Sequence, residues 1–289
     1  MKFYIFLWFW FFIIGSSNAA EWSVDGTLNQ NISYDDNVRM SEEAEEAFEY
    51  VLTPTLNFSR KTEVLDLQAG ISYGIQRYYG IEGLDQENQK YNFNSEYTME
   101  RSNWGLTSDF NISPSRNSAE QDSGDFASNA EKTTKSVSPS YSYQLTELDG
   151  ISLSASYSDT SYSEAGFSEN ESENVNISWN REWTERYSSS FNVSYSTNQS
   201  ESTAENASTK STSDTISANI STSFDFLQNW STTGNIGIRM TNSENSSAQG
   251  VSSFSSQGFL SDTSIQYKGE VTTLSVSVDR SLQPSAQGG

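Results

Sequence analysis

The side chains in this sequence that could do chemistry are carboxylates. Asp35 and Asp36 are adjacent, and Glu42, Glu43, Glu45 and Glu46 cluster just after them. Paired carboxylates can divide acid and base work, and hard divalent cations take carboxylate oxygens. The rest of the chain offers them no catalytic company. There is no histidine and no cysteine. This excludes a Ser-His-Asp hydrolase, a histidine general base, imidazole-bound zinc, a thiolate metal site and a disulfide framework. The barrel enzymes of lipase and protease type, which depend on histidine, are excluded with them. The acidic clusters therefore read as solvated loop charge, with loose divalent-cation binding as the residual chemistry. No catalytic residue, bound metal or cofactor is expected, and the chain is not expected to be an enzyme. With 16 Lys+Arg against 38 Asp+Glu, the net charge of −22 also disfavours nucleic acid as a partner.

A second set of polar residues is defined by rhythm. Asp25, Asn29 and Glu49, then Asp66, Gln68 and Gln76, then Asn92, Asn94 and Glu96, and finally Asp225 each occupy the polar beat of a stretch whose alternate positions are mostly apolar. They are candidates to line a water-filled interior. Acidic members outnumber basic ones, so an open lumen would favour cations or neutral solutes over anions. The competing reading is a passive interior that is polar only because water fills it.

Positioning such a set requires strands. From Phe48 to Phe58, the even positions Phe48, Tyr50, Leu52, Pro54, Leu56 and Phe58 are apolar, and most of the odd ones are polar. After Arg60–Glu63 the pattern resumes with Leu65, Leu67, Ala69, Ile71, Tyr73 and Ile75. Apolar residues at every second position give a strand one wet and one greasy face. Arms of about a dozen residues exceed the ~5–6 typical of soluble strands and match the ~9–11 that cross a bilayer.

Composition points the same way. Only 34% of residues are hydrophobic, which is low for a soluble core, yet 13% are aromatic, which is high for a disordered chain. A transmembrane barrel reconciles the two values, because only alternate residues need be apolar. Residues 1–20 read as a cleaved secretory signal: Lys2, an apolar run Phe3–Ile14, and small residues up to Ala19 and Ala20. That run falls short of the ~20 residues a spanning helix needs.

Residues 21–289 then offer thirteen strands: 22–34, the two arms of the 48–79 hairpin, 91–99, 104–112, 137–145, 151–157, 175–183, 187–195, 216–226, 230–240, 259–267 and 272–280. The connections alternate strictly. Arg60–Glu63, Arg101–Asn103, Glu147–Gly150, Thr184–Arg186, Leu227–Asn229 and Lys268–Glu270 are short. Asp35–Ala47, Gly80–Lys90, Ser113–Lys135, Ser163–Asn174, Ser196–Thr215 and Thr241–Gly258 are long, acidic and rich in Ser and Asn. The fold class expected is all-β, a transmembrane antiparallel up-and-down barrel with short periplasmic turns and long extracellular loops. Trp22, Trp104, Trp183, Tyr187 and Trp230 mark one aromatic girdle near the short turns; Tyr34, Tyr50 and Tyr79 mark the other. An odd strand count is unusual for a single-chain bacterial barrel, so the chain is expected to be a piece of a larger, even-numbered one.

Three short segments carry a resemblance: Ile32-Ser-Tyr-Asp-Asp-Asn-Val38, Leu52-Thr-Pro-Thr-Leu56 and Ser281-Leu-Gln-Pro-Ser-Ala-Gln-Gly-Gly289. Together they resemble the porin-like outer-membrane β-barrels associated with exopolysaccharide and PEP-CTERM (exosortase) loci. The resemblance implies a Gram-negative outer membrane, further strands beyond Gly289, and a role in exporting surface polysaccharide. It transfers no catalytic residue. Outer-membrane lipid, lipopolysaccharide and the barrel-assembly machinery are the partners expected, with exopolysaccharide as the solute. Three functions are carried forward: a channel or export component for a saccharide or other hydrophilic solute, a non-conducting barrel displaying its acidic loops like an adhesin, and a secreted adhesin.

Overall fold

The computed structural model describes residues 21–39, 42–115, 130–164, 166–204 and 207–280. The signal reading of residues 1–20 and the segment Ser281–Gly289 lie outside them. The described chain forms one sheet of thirteen strands: β1 (Glu21–Asp35), β2 (Ala47–Lys61), β3 (Leu65–Tyr79), β4 (Gln86–Thr98), β5 (Ser102–Pro114), β6 (Glu131–Gln144), β7 (Asp149–Tyr162), β8 (Ser168–Thr184), β9 (Tyr187–Ala204), β10 (Ala207–Leu227), β11 (Trp230–Ser247), β12 (Gly250–Lys268) and β13 (Thr273–Arg280). Each strand pairs antiparallel with its neighbour in sequence, and the spatial order is β1 through β13 without a crossover. No α-helix occurs among the described residues, and among them no ladder joins β1 to β13.

Register keeps the greasy residues together. Leu56 lies opposite Ile71, Ile71 opposite Tyr91, and Tyr91 opposite Phe110. A second row, Leu153–Ile177–Val193–Ala218–Ile238–Phe259, crosses six strands. A one-residue slip in any ladder would throw that strand's apolar set onto the opposite face. These side chains remain uncovered: Ile71 is 50% exposed, Ile238 52% and Phe259 68%. The described residues contain only five buried hydrophobics, Val38, Ala47, Leu67, Leu84 and Ala130. The apolar material thus forms an uncovered band and leaves the described residues almost without a core.

The short turns fall where expected and are built by side-chain capping. In the β2–β3 turn, Thr62 Oγ1 accepts from the Leu65 amide at 2.9 Å. Thr146 repeats this between β6 and β7, accepting from the Asp149 amide at 3.0 Å. A hydroxyl that satisfies the turn's own donors makes such tight reversals inexpensive.

The long connections need correction. Those read as Ser163–Asn174, Ser196–Thr215 and Thr241–Gly258 are mostly paired strand. β9 continues to Ala204, β10 starts again at Ala207, and β11 and β12 are separated by Ala248 and Gln249 alone. β10 has 21 residues, about 70 Å along the strand at ~3.4 Å per residue. Past the apolar band both faces meet water, so the apolar alternation that announces a strand disappears while the backbone ladder continues. Hydroxyl pairs such as Ser213–Ser243 at 3.1 Å and Ser168–Ser200 at 2.8 Å tie these extensions together. Segments 36–39, 42–46 and 80–85 do remain loops.

Candidate functional site

The face opposite the apolar band is a continuous polar wall, and it gathers nearly all the residues that the alternation singled out. Asp25 faces Asn57, and Asn29 faces Thr53. Glu49 lies between Ser33 and Tyr78, and Gln76 lies beside Val51 and Gln86. Gln68 opposes Asn94, and Asn92 opposes Gly70 and Asp109. Asp66 and Glu96 are directly opposite each other. Asp225 stands apart. It falls where the β10–β11 register shifts between Phe224 and Leu227, and on the β9 side it donates its amide to the Arg186 carbonyl at 2.9 Å. Phe224 and Phe226 on either side of it both join the apolar rings, with centroids 6.3 Å apart, so the two-residue rhythm still assigns Asp225 to the polar side.

Two acidic arrangements on this wall are held by identifiable partners. Asp66 and Glu96 are like charges in a direct cross-strand pair, which is unfavourable by itself. The repulsion is offset by Lys61, 3.6 Å from Asp66, and by the Asn103 amide, which donates to Glu96 at 2.7 Å. Lys61 is largely exposed, so this ion pair adds little stability. Glu49 is held more firmly. It accepts from Ser33 at 2.7 Å, from Tyr78 at 3.1 Å and from the buried amide of Gln76, which also donates to Tyr78 at 2.8 Å. Elsewhere the wall is laced by short polar contacts, including Thr107–Asn94 at 3.0 Å, Asn219–Asn235 at 2.8 Å and Asn235–Asp262 at 3.0 Å.

The wall is also the crowded side of the sheet. A Cβ added at Gly237 would meet Asn219 and the Ala218 carbonyl oxygen, each at 2.5 Å, and one at Gly70 would run into Asn92. On the apolar face, a Cβ at Gly26 would find nothing nearer than 4.0 Å. Crowding on one face and open space on the other is what a sheet curling towards its polar side produces. The same alternation assigns Asp109 and Asp262 to this wall, with Lys90 and Arg239 as opposing charges. These four were not among the candidates picked from sequence, although reading each strand's parity to its end would have found them. Among the described residues no three carboxylates converge on a metal-sized site.

The aromatic candidates all lie on the apolar side. Near the short turns, Trp22 packs against Phe58 at 5.4 Å and Trp104 against Tyr141 at 4.2 Å between ring centroids. A chain of rings runs from Tyr187 to Phe224, Phe226, Trp230 and Tyr267 at 5.0–6.3 Å steps. Trp183 donates its indole N–H to Ser189 at 2.8 Å. At the other end Tyr34 packs on Phe48 at 5.0 Å, Tyr79 pairs with Phe48, and Tyr50 sits between Ile32 and Arg77. Cations on this face also keep to its ends. Arg60 and Arg181 stack on Trp22 and Trp183 at 4.8 and 4.5 Å, while Arg77 and Lys135 pair with Glu87 at 3.1 Å and Asp159 at 3.2 Å. Long cationic side chains at the rim of an apolar band can keep their heads wet.

No protein-family model matches the chain, and a search of curated proteins finds no match either. Solved structures do match. The ferric citrate transporter FecA in its unliganded form superposes with a TM-score of 0.59 at 13% identity, covering 88% of this chain and 43% of that one. The chain therefore spans less than half the length of FecA. An OmpT loop-deletion variant from Vibrio cholerae (TM-score 0.36, 6% identity, 84% and 99% covered) and the toluene transporter TodX of Pseudomonas putida (0.33, 8%, 89% and 85%) superpose much more loosely. At these identities the likeness to FecA shows the fold alone: an all-β, antiparallel, up-and-down sheet of the kind that walls a transmembrane barrel.

Proposed function

We propose that this protein is a porin-like outer-membrane barrel whose polar wall lines a conduit for a hydrophilic solute. The observation that carries the proposal is the unbroken, uncovered apolar band backed by an equally continuous polar face. In water such a band would be an aggregation surface, whereas in lipid it is the required exterior. Removal of residues 1–20 as an export signal, short turns in the periplasm and long connections outside complete the reading. Outer-membrane phospholipid, lipopolysaccharide and the barrel-assembly machinery are its partners.

Asp25, Glu49, Asp66, Glu96, Asp109 and Asp262 against Lys61, Lys90 and Arg239 make the conduit favour cations and neutral solutes. A neutral or amino-bearing saccharide suits a wall of hydroxyls, amides and carboxylates. The exopolysaccharide and exosortase connection rests on the short sequence resemblances alone. Reconstitution into planar bilayers tests the proposal: stable open channels with a cation preference are expected, and a barrel that stays silent both as wild type and with its long connections altered would remove the transport role. The alternative, a non-conducting display barrel, draws its support from the polar hairpins of β9–β12, which extend well past the apolar band. Finding the protein in the medium, and not in outer-membrane fractions, would overturn both.

A further inference from the structure

Three of the five buried hydrophobic residues among the described residues, Val38, Ala47 and Leu84, meet in one place, with Tyr78 and Ile81 packed against them. They join residues 36–39 and the start of β2, on the β1–β2 side, to segment 80–85, between β3 and β4. The packing is reinforced by polar ties. The Val38 amide donates to the Glu45 carbonyl at 3.0 Å. Arg39 reaches across to the Glu82 carbonyl at 3.1 Å and pairs with Glu45 at 3.3 Å. The Tyr78 amide donates to Asp85 at 2.8 Å. Gly80 and Gly83, at φ of 112° and 82°, supply the left-handed turns the second segment needs.

The side on which this cluster lies follows from register. Ala47 pairs with Asp35, and Tyr78 pairs with Glu49. Counted from Glu49 and Asp25, both Ala47 and Tyr78 belong to the polar face. The two loops therefore lean over the polar wall of β1–β3 and rest on Tyr78, whose hydroxyl is anchored to Glu49 below. Loops without buried apolar contacts open at almost no free-energy cost, while a loop held by a small core does not.

We infer that these loops form a built-in constriction at the long-connection mouth of the conduit, setting the size limit of what passes. This rests on the conduit reading above. The test compares the wild-type protein with Leu84→Asp, which places a charge in the cluster, and Arg39→Gln, which cuts the Glu82 tie and leaves the cluster apolar. Two measurements are made on each: the cleavage rate within 36–46 by a glutamate-specific protease, and single-channel conductance with the permeation cut-off for neutral oligosaccharides. Both variants should be cleaved faster, and Leu84→Asp should conduct about twofold more and pass longer oligosaccharides. A silent wild type that conducts once Leu84 is changed supports the same inference. Faster cleavage with unchanged conductance in a conducting protein overturns the constriction and leaves the conduit standing. Silence in all three proteins overturns the conduit itself, and with it the constriction. Unchanged cleavage in both variants shows that the cluster does not hold the loops, and also overturns the inference.

Discussion

Replacing Ile71 by Arg separates a lipid-facing band from a surface that merely happens to be apolar. Ile71 is the seventh of fifteen residues in β3, close to mid-strand, with Leu56 and Tyr91 beside it on the apolar face. An Arg or Lys at the midplane of a barrel's lipid face costs about 2–4 kcal/mol, falling to about 0–1 near the interfaces. One residue from the centre is a displacement of ~3 Å along the strand, so most of the full cost applies. We expect Ile71→Arg to destabilise by about 2–3 kcal/mol, or about 30- to 150-fold in the folding equilibrium. The control is Gln68→Arg, three residues earlier on the polar wall, where Asp66 already accepts from the Gln68 amide at 3.3 Å; it should stay within about 0.5 kcal/mol of wild type. Urea titration of protein folded into lipid vesicles, followed by tryptophan emission, measures both. On a water-facing surface the half-exposed Ile71 would also tolerate Arg to within about 0.5 kcal/mol. Equal values for the two substitutions would therefore refute the assignment of faces.

Three further outcomes follow from the polar wall. Glu49→Ala removes one acceptor from the buried Gln76 amide, from Ser33 and from Tyr78, and should cost about 1–3 kcal/mol in the same titration. Gly237→Ala forces a methyl against the Ala218 carbonyl and should cost about 1–3 kcal/mol, while Gly26→Ala, with open space around it, should be close to neutral; heat-modified gel mobility ranks the two. Asp66→Lys combined with Glu96→Lys should move the zero-current potential in a KCl gradient towards that of chloride, and an unmoved potential would show that ions do not pass this pair.

The fold was legible because one physical signal repeats through it. Each spanning strand must show lipid and water in alternation, and Leu65, Leu67, Ala69 and Ile71 announce their faces without reference to any distant residue. The signal ended where its cause ended. Beyond the band, residues 196–202 and 208–215 lack the apolar alternation, so strand and loop look alike in composition, and the ladder is visible only in the backbone. The loop cluster escaped for the opposite reason. Val38 and Leu84 are single apolar residues in acidic surroundings, and their contact depends on two loops meeting across a hairpin. The polar wall was readable as a list of side chains, but its partnerships were not: that Glu49 serves three donors, or that Lys61 lies near the Asp66–Glu96 pair, depends on cross-strand register.

The tryptophans of the described residues, at 22, 104, 179, 183 and 230, all lie towards the short-turn end of the sheet, and none lies at the other end. Within the described residues the protein therefore carries a one-sided optical label. Quenchers planted in only one leaflet would darken it or leave it bright, reporting directly which way round the molecule has inserted. The same glow, followed in time, would register when that rim settles at the water boundary, without any dye attached.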